Sequence, residues 1–366
     1  MLHPFGLRLP AASLLLLTLG PLSSALGEGA VTDPVGFITL NLPGATAANA
    51  PAAISFKGLG MTRLVEYQGS AETASGTTLT ESNAGWTANK FNPPGASAET
   101  ATHYVEIVRS SGSQTMAPGE GTTYDIIATS ADSLTLAQPL ASGVGTGAQF
   151  KIRKHWTIES VFGAVPTALQ AGTAGAADQV LVYRGSGYDI YYFESPNFLN
   201  PTGGWKNASK PEVSNAGGAK ILPEDGLIIK RSSQQTTSVT LTGAVKTGVS
   251  SIPVHPGVNI IGNVFAAKMT LTSSNLYRGD SQLGLASGTA GEADQVLIYN
   301  GSGYEVFYYE SPNFLNPQGG WKNAANPDAT GDLGLTQIPF GSAVIVKRNR
   351  GTGFDWTAPQ HPTVIQ

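Results

Sequence analysis

The segment from Gly172 to Ala208 returns at Gly288 to Ala324 with a constant offset of 116 residues, and 29 of the 37 aligned positions are identical. A repeat of that length and identity means that one structural unit is built twice, so it constrains the architecture more than any local motif does. The eight differences are mostly conservative, as in Val182/Ile298, Asp189/Glu305, Ile190/Val306 and Tyr191/Phe307. After a slip of one residue the match resumes at lower identity, with Ile221 to Arg231 facing Ile338 to Arg348 and each stretch ending in Lys-Arg.

Each copy reads as β structure. Gln179 to Tyr183 is a β-branched and aromatic run, Arg184-Gly185-Ser186-Gly187 supplies hairpin backbone angles, and Tyr188 to Phe193 returns as the partner strand. Both faces of these strands are apolar, as expected for strands covered on two sides. Pro and Gly in Ser195 to Gly204 forbid a helix or a ladder and predict a long ordered loop before a strand at Trp205. Pro223-Glu224-Asp225-Gly226 predicts a turn into a strand from Leu227 to Lys230.

The second copy opens with Pro256 to Gly262, whereas the corresponding flavour in the first copy lies far upstream, at Leu42-Pro43-Gly44 and Ala53 to Phe56. Trp156-Thr157-Ile158 stands for Met269-Thr270-Leu271. An insertion therefore interrupts the first copy. The expected fold is all-β, with two repeated β-sandwich-like modules, the first carrying an inserted small β-barrel or β-sandwich domain. The boundaries are 31–61 plus 155–250 for the first module, 62–154 for the insert, 251–350 for the second module and 351–366 for a C-terminal tail. Within the insert, strands are expected at Arg63 to Tyr67, Thr77 to Thr80, Trp86 to Phe91, His103 to Val108, Thr123 to Ala128, Ser133 to Leu136 and Gln149 to Arg153.

Composition fits this reading: 41% hydrophobic, only 13% charged and 45 Gly suit a turn-rich globular chain rather than a disordered or helical one. At the N-terminus, His3 and Arg8 precede an apolar run centred on Leu14 to Leu17 and the small residues Ser23-Ser24-Ala25, the pattern of a secretory signal peptide over 1–25. The mature chain is then expected in the periplasm, at the cell surface or secreted, and no later run is long enough to span a membrane. With no Cys there is no disulfide framework, thiolate metal site or cysteine nucleophile. The formal net charge of −4 comes with no basic cluster, which argues against nucleic acid as a partner.

The opening Thr32-Asp33-Pro34-Val35-Gly36-Phe37 is one of several distinctive segments. The others are His103 to Glu106, Tyr124-Asp125-Ile126, Ser133 to Leu136, Lys154-His155-Trp156-Thr157 and Asp178 to Leu181. Together they resemble an uncharacterised family of exported β-rich repeat proteins from environmental Gram-negative bacteria. The resemblance implies secretion and a β fold, and carries no established activity to any residue.

Chemistry-bearing constellations are sparse. His103, His155, His255 and His361 are each isolated, so no catalytic zinc or iron ligand set is expected. Asp328-Ala329-Thr330-Gly331-Asp332 lacks the alternating ligands of a calcium loop. Gly279-Asp280-Ser281 echoes a lipase/esterase nucleophile block, but Asp355 and His361 are wrongly spaced to complete it and there is no Gly-x-Ser-x-Gly elbow. Asp189 with Glu194, and Glu305 with Glu310, are the carboxylate pairs to test for glycoside hydrolysis. Their duplication in near-identical settings argues for structure instead. No catalytic residue, metal or cofactor is expected.

What remains is aromatic. Trp205 and Trp321 read first as core residues. The sharper reading makes Asn197, Phe198, Trp205 and Asn207, with Asn313, Phe314, Trp321 and Asn323, two flat platforms flanked by hydrogen-bonding amides; Asn200 adds to the first. The expected function is a non-enzymatic structural or adhesion-type surface protein whose partners are cell-surface polysaccharide or other surface proteins. The alternatives are a carbohydrate-binding protein with two equivalent weak sites and, third, a polysaccharide-acting hydrolase.

Overall fold

A computed structural model describes residues 33–47, 50–109, 118–198, 200–210, 214–314 and 316–359. The expected signal peptide, His361 and the end of the expected tail lie outside the described residues. The described chain is all-β, and its named ladders all run antiparallel.

Two five-stranded sheets share one strand order. The first runs Gly204–Asn207, Tyr188–Glu194, Gln179–Tyr183, Leu227–Arg231 and Ala53–Lys57. The second runs Gly320–Asn323, Tyr304–Glu310, Gln295–Tyr299, Ala343–Arg348 and Gly257–Gly262. Register is matched as well: Gln179 faces Tyr192 as Gln295 faces Tyr308, and Phe193 faces Trp205 as Tyr309 faces Trp321. Ala53–Lys57 holds the sheet edge that Gly257–Gly262 holds in the second sheet.

Alternation along each strand divides its side chains between two layers. Val180, Val182, Tyr191, Phe193, Leu227 and Ile229 enter a core shared with Ile38, Leu40, Val239 and Leu241 of a ribbon formed by Val35–Leu42 and Thr237–Ala244. In the second sheet, Val296, Phe307, Val344 and Val346 pack with Ile252, Val254, Phe354 and Trp356 of a ribbon formed by Ser250–Val254 and Phe354–Ala358. The residues read as a C-terminal tail thus include a strand, and Trp356 is only 1% exposed. Its alternating Phe-x-Trp-x-Ala pattern is what places it there, because the apolar members need a covered face.

A buried ion pair fastens each ribbon to its sheet. Asp178 accepts from Arg231 Nε at 3.0 Å and from the backbone of Gln170 and Ser232; Asp294 accepts from Arg348 Nη1 at 2.5 Å and from Ala286 and Asn349. The arginines also donate to ribbon or loop carbonyls, including Leu42 and Thr352. Such a pair is costly to break one-sidedly, at about 3–5 kcal/mol, since the surviving charge stays buried.

The other face of each five-stranded sheet packs on its counterpart. Phe56 and Ile228 from the first meet Ile260 and Ala343 from the second, with Leu181, Tyr183, Tyr299 and Ile345 at the margin. Phe56 lies with its ring centroid 5.4 Å from that of Tyr299. The contact is two-fold in character: Gly262 N donates to Glu224 O at 2.9 Å, and the equivalent Gly58 N donates to Gly341 O at 3.3 Å.

The seven-stranded sheet is formed entirely by residues 65–154. Its order is Val65–Ser70, Gln149–Lys154, His103–Arg109, Thr123–Thr129, Ser133–Leu136, Thr78–Thr80 and Thr73–Ser75. The first and last strands of that order are consecutive in sequence. Ala71 N bonds to Ala148 O and Glu72 N to Thr80 O, so the linker carries both ladders and the edges meet around a core of Leu79, Val105, Ile126 and Phe150. Trp86 to Phe91 is a correction: it forms a turn with Asn89 at φ 59°, not a strand, although Trp86 and Phe91 plug the core. Thr73–Ser75 is a strand that sequence patterning omits, being short and weakly apolar.

At the two-fold contact there is no room for a side chain. A Cβ on Gly262 would lie 2.9 Å from both Asp225 O and Gly58 Cα, and one on Gly58 would lie 2.8 Å from Gly262 Cα. Gly262→Val should therefore destabilise the chain by about 1–3 kcal/mol, the usual cost of overpacking. Gly291→Ala, where an added Cβ meets nothing within 4 Å, is the control and should change stability little. Urea unfolding of both variants checks this.

Candidate functional site

The loops at Ser195 to Gly204 and Ser311 to Gly320 occupy equivalent ends of the two five-stranded sheets. Each leaves a strand at a glutamate and re-enters through a glycine pair. Gly203 and Gly204 have φ 65° and 130°, and Gly319 and Gly320 have φ 66° and 132°, backbone angles that L side chains rarely adopt. A Cβ on Gly203 would also sit 2.5 Å from Glu194 O.

Asparagine braces the loop between these ends. Asn200 N donates to Asn197 Oδ1 at 2.9 Å, and Asn200 Nδ2 donates to Glu194 Oε2 at 2.7 Å and to Gly203 O at 3.0 Å. The second loop repeats the brace, with Asn316 N to Asn313 Oδ1 at 2.8 Å and Asn316 Nδ2 to Glu310 Oε2 at 2.6 Å. At the tips, Phe198 and Phe314 are 97% and 96% exposed. A phenyl ring in water has no local reason to be there, and both copies place one at the same spot.

The flat platforms do not assemble. Trp205 and Trp321 are 1% and 2% exposed and belong to the two hydrophobic cores between five-stranded sheet and ribbon, where Trp205 Nε1 donates to Gly163 O at 2.9 Å. They fill the inner layer because they face Phe193 and Tyr309 across the ladder. Asn207 is buried as well; its amide donates to Asp189 and its Oδ1 accepts from Ser209 N. Asn323 Oδ1 is engaged by Ala325 N. Of the eight expected platform residues, only Phe198 and Phe314 present an open ring, while Asn197 and Asn313 brace the loops beneath them.

The carboxylate pairs do not converge either. Asp189 and Glu194 are five apart on one strand, an odd spacing that sends them to opposite faces, and Glu305 and Glu310 share it. Burial alone would raise the Asp189 carboxyl, but the Asn207 hydrogen bond and the charges of Lys210 and Arg184 outweigh it and hold the group below its ordinary range. Glu194 and Glu310 are committed to the loop amides. Among the described residues no group of three or more His, Asp or Glu side chains could hold a metal ion. Asp332, from the stretch tested for calcium, caps Trp321 N and Gly334 N.

Sequence spacing gives no warning of a second polar feature, two ionic clusters where the seven-stranded sheet meets the rest of the chain. In one, His155 Nε2 lies 2.6 Å from Asp125 Oδ1, and Lys220 pairs with the other Asp125 oxygen. Burial pushes His155 down, against the opposing pull of Asp125. In the other, Lys246, Glu106, Arg153, Asp33 and Lys151 form a continuous chain of ion pairs. These partners are 30 to 140 residues apart, so no local motif announces them.

Comparison with known proteins gives no match to a family model, a curated protein or a solved structure.

The burial pattern separates structural from presented aromatics. Trp205→Ala and Trp321→Ala should each cost about 3–5 kcal/mol of stability, as emptying a large aromatic site does. Phe198→Ser and Phe314→Ser should each stay within about 0.5 kcal/mol of the parent. Chemical denaturation of the four variants measures both.

Proposed function

We propose that the protein is an exported, non-enzymatic adhesion-type scaffold that presents Phe198 and Phe314 to a partner at the cell surface. In this reading it consists of two repeated β-sandwich-like modules, the first interrupted by a small inserted β-barrel. The observation that carries the proposal is the pair of bare phenyl rings on identically braced loops. Two identical weak contacts on one rigid body give a bivalent binder, whose avidity exceeds either contact alone.

The chemistry of the loops favours a protein surface over a sugar. A polysaccharide site needs amide or hydroxyl groups free to bond the ring hydroxyls, whereas the loop amides of Asn200 and Asn316 are spent on Glu194 and Glu310. An apolar tip entering a partner's pocket needs no such donors. The separated carboxylates support a non-enzymatic role in the same way, since glycoside hydrolysis requires an acid and a second carboxylate flanking one bond.

Export rests on the leader pattern, and the protein recovered outside the cytoplasm should begin at Leu26 or Glu28 by intact mass. Retention of Met1 to Ala25 would contradict it. For the loops, Phe198→Ser and Phe314→Ser should each weaken binding of the purified protein to intact cells, and the double variant should lose far more than either. Binding should survive periodate oxidation of surface glycans. Unchanged binding by the double variant, or binding abolished by periodate, overturns the assignment of the loops to a protein partner.

A further inference from the structure

The ionic chain between the seven-stranded sheet and the turn after Thr237–Ala244 alternates strictly in sign. Lys246 donates to Glu106 Oε1, and Arg153 Nε donates to Glu106 Oε2 at 3.2 Å. Arg153 also pairs with Asp33 Oδ2, and Lys151 Nζ donates to Asp33 Oδ1 at 2.6 Å. The order is cation, anion, cation, anion, cation, so these five side chains carry one positive charge in excess. All five side chains line a single cavity, whose wall is completed by Gly121 and the backbone turn at Thr247 and Gly248.

The excess resides at the end of the chain. Arg153 is well satisfied, since Nη1 also donates to Arg63 O at 2.8 Å. Lys246 is not: it is 5% exposed, and among the described residues Glu106 is the one acceptor bonded to its ammonium, a group with three N–H donors. A buried cation with unmet donors is relieved either by losing a proton or by gaining an anion. Burial does push Lys246 down, to about 8, so the group is still largely charged at neutral pH. Below about pH 7, where the facing Glu224 carboxyl is largely protonated, the deficit is one negative charge, and the cavity has an ammonium at each end of the ionic chain.

We propose that this cavity binds a small carboxylate, shared between the ammonium groups of Lys246 and Lys151. A carboxylate is a monoanion at neutral pH, which matches the deficit, and its two oxygens suit two separate lysine donors. The carboxylate belongs either to a small organic acid or to a sugar acid.

Thermal unfolding of the full chain tests this, with sodium acetate or sodium galacturonate replacing chloride at constant ionic strength. A ligand that binds only the folded state raises Tm saturably. The expected result is a saturable rise at about pH 6, where Glu224 is still largely protonated, with at least one of the two acids. A rise with galacturonate alone identifies a sugar-acid site; a rise with acetate identifies the carboxylate group as sufficient. Lys246→Met, read against its own chloride baseline, should show no rise.

The wild-type rise should also fade as pH climbs past about 8, where Lys246 gives up its proton. The groups facing Lys246 are Glu106 and Tyr104 from one strand, Lys151 and Arg153 from its neighbour, Asp33, and Glu224 from the adjacent turn. Asp33 is held below its ordinary range by Lys151 and Arg153 despite burial, and desolvation pushes Glu224 up to about 7, so Glu224 gains charge before Lys246 loses it. The part of the fade above pH 8 therefore reports the lysine. No saturable rise with either acid, an equal rise in Lys246→Met, or a rise that persists unchanged to high pH overturns the proposal.

Discussion

The close approach of Gly58 and Gly262 fixes the relation between the two five-stranded sheets, and most of what else the chain does follows from it. Each sheet has apolar residues on both faces, and a ribbon covers only one of them. The uncovered faces carry Phe56, Ile228 and Ile260, and burying side chains of this size stabilises by about 1.5–3 kcal/mol each. Packing the sheets back to back meets that demand, and the glycines let backbones donate across the contact where a side chain would hold them apart. The result resembles an isologous dimer made within one chain. Because the same contact sets the orientation of both sheets, it also sets where the Phe198 and Phe314 loops stand relative to one another.

The seven-stranded sheet fits into this arrangement without disturbing it. The chain leaves at Thr62, which exchanges backbone bonds with Ala244, and returns at Trp156, whose indole donates to Met61 O at 2.9 Å. Departure and return points are therefore neighbours. The joint is polar rather than apolar, built from the Asp125–His155–Lys220 and Lys246–Glu106–Arg153 clusters. Charges at a joint specify one docking geometry, because a slipped arrangement leaves them buried and unpaired.

Much of the β structure was legible because period-2 patterning and turn residues are local signals. The Gln179–Tyr183 hairpin and the Ser133–Leu136 strand fall where patterning puts them. Trp86 to Phe91 misleads because a turn that plugs a core has the composition of a strand; only the left-handed Asn89 distinguishes it. The strand at Phe354–Ala358 was hidden by its position beyond the recognisable repeat. For the candidate site, the loop and its repetition were readable from Pro, Gly and Asn, but the division of aromatics into core and tip was not. Trp205 and Phe198 differ in exposure because one lies on a ladder opposite Phe193 and the other lies at a loop tip, a distinction of register rather than of residue type. The ionic joints were invisible, since their partners meet only after the chain has folded.

A bivalent scaffold requires the two loops to be held at a fixed separation. The absence of cysteine permits unambiguous labelling, so spin labels on cysteines introduced at Thr202 and Gln318 report the loop-to-loop distance directly. Double electron–electron resonance should give one narrow distance distribution, unchanged by moderate salt, because the sheet contact that fixes it is apolar. A broad or multimodal distribution would mean that the sheets move independently, and would contradict the account at its base.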